Sequence, residues 1–441
     1  MARCQDLIPA KLSDSFYVQP MIGKLNPDSR EATVIGAGFA GLLIAFRLQR
    51  RGFRVTLHEA QSRAGGLIST RRLQWGIAES AAHSFQASLA VIELCKELEV
   101  ELVPLNPKNR SKYILKNGKF RKFPLNIAEL LTLLWKISRQ SPPLTEENPS
   151  LETWALHYLT QPALDYLINP FLRGVFACKP SEISIQAAFP QLLFEKERTI
   201  LSGLQNLRRR RPASPMMAPQ EGMESLIQKL SGYLEKKLGD RYLKNSRIER
   251  LPESGNVIIC TPAPVAAALL NRSSPELSEL LDQVQYSPLI SITIFLEKSQ
   301  LGNPREGVGV LVPEKENRGF LGVLFNSSAF PSRVVNQEKI VSLTMMMGGS
   351  DNPSILEMPD QELLQNVESE LKALFDLRGR PVHCEIHRWP NAIPQYGPHL
   401  QRVWEKAQSS WCSRAGNILF GNYTGQVSLR GMIESTMTLD T

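Results

Sequence analysis

Apolar positions fall into two alternating rhythms from the start of the chain. Residues 32–35 form a short apolar run of strand type, and residues 40–49 carry apolar side chains at helical spacing. A second strand pattern spans 54–58. Residues 86–101 return to the helical period, with Leu89, Ile92, Leu94, Cys95, Leu98 and Val100 marking the side expected to be buried. Tyr113-Ile114-Leu115 and the run 120–123 flank Asn117-Gly118, a two-residue turn signal, so 109–124 reads as a hairpin. The stretch IAELLTLLWKI (127–137) predicts a short helix, too apolar for an ordinary surface face and too short to cross a bilayer.

Helical patterns continue to about residue 208, where RRRRPASP breaks them with charge and proline. Residues 222–238 then predict a helix, and 256–260 a strand that leads into TPAP. In 289–296 Ile290, Ile292, Ile294 and Leu296 fall on one face and Ser291 and Thr293 on the other, a strand between two environments. Further strands are expected at 308–312, 321–325, 341–347 and 418–420. The strands between 287 and 347 predict a second sheet, separate from the first strand–helix–strand unit.

That first unit carries chemistry. Its linker completes G-x-G-x-x-G with Gly36, Gly38 and Gly41, and Phe39 and Ala40 open the helix. Gly36 permits the tight turn, Gly38 lets backbone N–H groups approach a pyrophosphate, and Gly41 lets helix and strand pack closely. Glu59 ends the second strand about 20 residues on, where a carboxylate can accept both ribose hydroxyls. A lone glycine motif is weak, but the run continues as Glu59-Ala60-x-x-Arg63-x-Gly65-Gly66.

Composition narrows the classes. At 441 residues and 42% hydrophobic the chain can bury two or three cores, and it reads as globular. The formal charge of +8 points to an anionic ligand or surface. Six widely spaced cysteines without C-x-x-C suggest neither a disulfide framework nor a zinc site, so a reducing, cytoplasmic setting is expected. The first 20 residues lack a signal-type apolar core and read as an extension. His383 and His387 stand four apart in HCEIH, but on a strand Cys384 points away from both, so no metal is expected. RRRR at 208–211 lacks aromatic interleaving and reads as an exposed loop, with no nucleic-acid partner.

The extension around Arg63 and Gly65-Gly66 resembles the FAD-dependent amine oxidase and protoporphyrinogen oxidase superfamily, where arginine and the glycine pair help to hold the diphosphate. The segments PFLRGVFACKPSEISIQAAFPQL (170–192), GVGVLVP (307–313), GFLGVLFNSSAFPSR (319–333), MMMGGS (345–350), RWPNAIPQYGPHL (388–400) and GNYTGQVSLRGMIES (421–435) are similar in order and spacing to blocks of the protoporphyrinogen oxidases. The resemblance implies an α/β chain, α+β overall. A discontinuous Rossmann-like FAD-binding domain would take 30–84, 212–271 and 412–441, a mixed-sheet substrate domain 85–123 and 272–411, and a helical, membrane-docking subdomain 124–208, after an extension at 1–29. It further implies noncovalent FAD on Gly36, Gly38, Phe39, Ala40, Gly41, Glu59, Ala60, Arg63, Gly65, Gly66, Ile248, Asn422 and Val427. The implied reaction is oxidation of a porphyrinogen with molecular oxygen as acceptor. The implied cleft is lined by Val308, Leu311, Leu321 and Met346 with Gly174 near a pyrrole, and Lys112 stands where animal and plant members place a propionate-binding arginine.

Three departures accompany the likeness. Ala81-Ala82 replaces a Gly-Pro near the flavin, Gly425-Gln426-Val427 shifts a glycine by one, and 248–256 lacks a hairpin. Rival readings are another flavin amine oxidase or desaturase, a coproporphyrinogen III oxidase, and a non-catalytic FAD- or porphyrin-binding protein. Oligomeric state is open, a dimer included.

Overall fold

The computed structural model describes residues 21–139, 142, 144–193, 214–437 and 439. Both the first 20 residues and RRRR at 208–211 lie outside the described residues. In chain order come strand β1 (Glu31–Ile35), helix α1 (Phe39–Arg50), β2 (Arg54–His58), α2 (Leu89–Glu97), β3 (Lys112–Lys116), β4 (Lys119–Arg121) and α3 (Ile127–Ser138). There follow α4 (Asn169–Phe176), α5 (Glu224–Leu238), β5 (Tyr242–Leu243), β6 (Asn256–Ile259), β7 (Tyr286–Glu297), β8 (Gly309–Leu311) and β9 (Phe320–Leu324). The last are β10 (Ile340–Gly348), α6 (Asp360–Phe375), β11 (His383–Pro394) and β12 (Asn417–Leu419).

Five strands make a parallel sheet in the order β5-β2-β1-β6-β12. Its central strands are apolar because α1 and α5 cover it with Leu42, Phe46, Leu226 and Leu230, all buried in one cluster with Val34 and Val55. The chain leaves β1 for β2 on one side and β6 flanks the other, so the strand order reverses at the carboxyl end of β1. That reversal opens the crevice where parallel sheets bind ligands. Ile22, within the expected extension, is buried and bridges Leu419.

Seven strands make the second sheet, β11-β7-β10-β9-β8-β3-β4, with only the β8–β3 pair parallel. The hairpin expected at 109–124 forms its edge: Asn117 and Gly118 have φ of 53° and 65°, the left-handed pair a two-residue turn requires. Ile290, Ile292, Ile294 and Leu296 pack with Leu343, Met345 and Met347 against Leu363, Val367 and Leu371 of α6. The opposite face is buried too, Ser291 and Thr293 being 1% and 0% exposed, which makes this a covered strand on both sides.

The helical reading of 86–101 is too long and partly misplaced. Only Leu89–Glu97 is helical, between strand segments Phe85–Gln86 and Leu102–Pro104, and Leu89 and Ile92 are exposed at 77% and 38% while Leu94, Cys95, Leu98 and Val100 are buried. The pattern merged a helix with the flanking sheet, because apolar strand residues continue its rhythm by chance. Helix α3 does span the expected residues. Between β5 and β6 no hairpin interrupts the described chain.

Candidate functional site

The carboxyl end of β1 is a phosphate cradle. Gly36 adopts φ +99°, and a Cβ on Gly41 would overlap the Gly36 carbonyl oxygen, so α1 lies directly on the turn. Beside Gly38 there is open space where a Cβ would stand. No side chain caps α1 and its first turn holds no acid, leaving the N–H groups of Phe39, Ala40 and Gly41 without intrahelical acceptors. Gly65 N–H donates to Ala37 O at 2.8 Å, which brings the Gly65-Gly66 turn beside the same opening. Thr261 Oγ1, sealed at the end of β6, has no partner in the protein. These features fit a dinucleotide diphosphate.

Around the cradle, Glu59 Oε2 accepts from Ala37 N–H at 2.7 Å and Oε1 from Gln61 N–H at 2.9 Å. Each oxygen retains a lone pair for a hydroxyl. Ala60 follows on the same exposed turn. Arg63 turns inward on its own loop: its guanidinium donates to the carbonyls of Ala64, Gly66 and Ile68 and lies 3.5 Å from Glu224. These bonds fold its side chain back onto the cradle loop. Ile248 packs half-buried after β5, Val427 half-buried after β12, and the Asn422 carbonyl accepts from Tyr396 OH at 2.5 Å. All of these lie beyond strand carboxyl ends.

The second site is the inner face of the seven-stranded sheet. Register places Ile114, Leu311, Gly322, Met346, Ser291 and His387 in one transverse row, and Lys112, Gly309, Leu324, Thr344, Thr293 and Glu385 in the next. Lys112, Leu311 and Met346 thus share one surface, Lys112 one strand from Leu311 and Met346 two strands beyond it. Helix α4 covers it closely: a Cβ on Gly174 would stand 2.6 Å from Leu311 Cδ2, and Ala177 packs in one cluster with Leu321, Leu289 and Met346. Val308 lies apart, lining a cavity shared with Glu79, His83, Leu324, Asn326 and Arg333.

That cavity borders a buried polar seam. Arg333 and Glu79, 3% and 2% exposed, pair at 3.4 Å, and Glu79 also accepts from Thr70 Oγ1 and Met223 N–H. Burial pushes the Glu79 carboxyl up against the pull of Arg333, and burial lowers Arg333. Both groups shift towards neutrality, so desolvation outweighs their attraction and the pair serves geometry more than stability. Arg333 further donates to the carbonyls of His83 and Pro219. Burial, then Arg333 and His387, push the His83 imidazole down to about 3. Across the seam, Trp389 Nε1 donates to the Ser80 carbonyl at 2.7 Å.

Residues 39–437 match the family of flavin containing amine oxidoreductases. The chain belongs to that family. Within it, the chain is 28% identical to protoporphyrinogen oxidase 2, chloroplastic/mitochondrial, of Arabidopsis thaliana, over 92% of each chain. It is 22% identical to coproporphyrinogen III oxidase of Bacillus subtilis (strain 168), over 86% of this chain and 91% of that one. A crystallised Exiguobacterium sp. 255-15 protein, provisionally assigned as a protoporphyrinogen oxidase, superposes with a TM-score of 0.77 at 21% identity, covering 94% and 99% of the two chains.

As a family member the chain is a flavin-dependent oxidoreductase with the family's nucleotide fold. Among the departures, the Gln426 side chain is buried and sits against Gly431 in the last helix, and Ala82 packs on the nucleotide core. The histidines of HCEIH alternate as expected, Cys384 joining the opposite face, and the described residues contain no metal-holding cluster. Sequence reasoning gave no role to Arg333, His83, Ser291 or Trp389. Arg333 and Trp389 were signalled only by blocks resembling the family and Ser291 only by strand alternation, because the contacts that define these residues join segments up to 309 residues apart.

Proposed function

We propose that this flavoprotein is an FAD-dependent porphyrinogen oxidase that converts protoporphyrinogen IX to protoporphyrin IX in tetrapyrrole biosynthesis, with molecular oxygen as acceptor. The supporting observation is the inner sheet face: an apolar patch of Leu311, Leu321 and Met346, with Lys112 on the same face and α4 packed on Leu311 at Gly174. Such a surface suits a planar macrocycle with carboxylates at its edge. Bound flavin supplies the two-electron oxidation, taking hydride from the substrate. The protein's own part is to hold the diphosphate on α1, the ribose on Glu59, and the macrocycle against the sheet away from water.

Noncovalent binding is supported by Cys260, the cysteine beside the cradle, whose thiol burial pushes far up, so it is no nucleophile at neutral pH. Acid precipitation of the loaded protein should release all flavin as FAD to the supernatant. Flavin retained in the pellet would contradict this.

A two-carboxylate substrate is favoured over a four-carboxylate one. Cations bordering the face are bound to the protein's own acids: Lys116 to Glu129, Arg173 to Asp351, Lys179 to Glu314 and Lys315 to Asp165. The Bacillus subtilis relative keeps coproporphyrinogen III as the second reading. Anaerobic mixing of flavin-loaded protein with each porphyrinogen tests both: protoporphyrinogen IX should bleach the flavin faster. Bleaching by coproporphyrinogen III alone would transfer the assignment, and bleaching by neither would remove it. The reading includes peripheral docking on one membrane leaflet.

A further inference from the structure

The inner sheet face changes character along its own rows. Towards α4 it is apolar, with Leu311, Gly322 and Met346. Towards the nucleotide fold it is polar yet closed, with Ser291, Thr293 and Thr344 each at most 1% exposed. The threonine hydroxyls satisfy one another at 3.0 Å, and Asn326 Nδ2 donates to Thr344 and Ser342. Three atoms on adjoining segments have no such partner: Ser291 Oγ, Nδ1 of His387 on the adjacent strand, and Nε2 of His83, which feels the His387 charge from the segment that Trp389 ties across the seam.

Buried polar atoms without partners are rare, and each one costs stability unless a ligand completes it. The chemistry of the missing partner can be read from the three atoms. Burial lowers His387, and in the neutral ring Nδ1 can accept a hydrogen bond when the hydrogen is on Nε2, which faces Glu385 Oε1 at 4.0 Å. Burial holds His83 neutral, so one ring nitrogen keeps a lone pair, and a serine hydroxyl can accept as well as donate. Each of the three can thus accept from an N–H donor. Ser291 stands in the same row as Met346 and Leu311 and so borders the apolar half of the face.

We infer that Ser291, His83 and His387 form a subsite that accepts hydrogen bonds from the pyrrole N–H groups of the bound porphyrinogen. A reduced tetrapyrrole carries a donor on every ring and no ring acceptor, whereas the oxidised porphyrin has lost half of those donors. The subsite thus prefers substrate over product and orients the macrocycle by its centre, while Lys112 holds its edge. This assignment rests on the functional reading above.

Binding of porphyrinogen under anaerobic conditions, and of porphyrin, to flavin-loaded Ser291→Ala, His83→Leu and His83→Gln tests it. Ser291→Ala and His83→Leu should each weaken porphyrinogen about 5- to 100-fold and porphyrin less, narrowing the preference for substrate. His83→Gln keeps an acceptor and should stay near wild type. Flavin content and melting temperature report that each variant is folded. Unchanged porphyrinogen affinity in Ser291→Ala and His83→Leu overturns the subsite while leaving the functional reading standing, as does a His83→Gln loss equal to that of His83→Leu. Wild-type protein that binds no porphyrinogen removes both.

Discussion

Lys112 opens the hairpin strand with an exposed side chain on the same sheet face as Ile114 and Lys116. Lys116 is held by Glu129 and stands 4.3 Å over the Tyr166 ring. An ammonium at Lys112 paired with a propionate in a partly covered cleft contributes about 1–2 kcal/mol. Lys112→Ala should accordingly raise the KM for porphyrinogen about 5- to 30-fold with FAD content unchanged. An unaltered KM would place the anchor elsewhere. His83 gives a second outcome, in pH. Its folded value is near 3 and its unfolded value near 6.5, so its neutral form favours the fold fully above 6.5. As pH falls from 6.5 towards 3 only the unfolded chain takes the proton, and stability drops by up to about 1.4 kcal/mol per pH unit. His58 and His387, also lowered by burial, act in the same direction. His83→Gln should flatten this acid slope in melting curves; an identical slope would show that His83 is not its source.

The cradle shows what patterning reads well. Strand, glycine turn and helix are contiguous in the chain, so Gly36 to Gly41 and Glu59 were visible from spacing alone, and the structure constrains Gly36 by its φ and Gly41 by the Gly36 carbonyl while leaving open space beside Gly38. Two substitutions separate folding from binding. Gly41→Ala drives a methyl into the Gly36 carbonyl and should lower apo stability by about 1–3 kcal/mol. Gly38→Ala meets open space at an ordinary φ of −65°, so the apo melting temperature should hold while FAD affinity falls. Equal affinity in Gly38→Ala would mean that no phosphate approaches there. The segment 86–101 shows the opposite case, since period alone cannot tell Leu94, facing the core, from Leu89 beyond it. The Arg333–Glu79 pair was out of reach for a deeper reason: a buried ion pair is defined by partners 254 positions apart, and neither residue type differs in sequence from a surface charge.

Taken together, the chain sets its apolar sheet face between a nucleotide fold and a helical roof, and that roof carries an unusual outer surface. No helix among the described residues is long and apolar enough to cross a membrane. Helix α3 is nevertheless exposed at Ile127, Leu131, Leu134 and Trp135, while Leu133 and Ile137 anchor it to the core. Its Asn126–Glu129 capping box fixes its start beside Lys119, Arg121 and Lys122 of the hairpin. An apolar helix face next to a basic edge matches the requirements of an interfacial helix on an anionic leaflet, where each basic residue adds about 1 kcal/mol near the surface. The competing idea, that α3 is buried in the helical region, accounts for only two of its apolar side chains. Docking would turn the roof of the proposed cleft towards lipid, a route for a flat, poorly soluble product. In liposome flotation the protein should float with anionic vesicles at low salt, less so at high salt, and Leu134→Glu or Trp135→Glu should release it without loss of flavin. Full recovery in the soluble fraction at low salt would show that the exposed face of α3 is not a lipid contact.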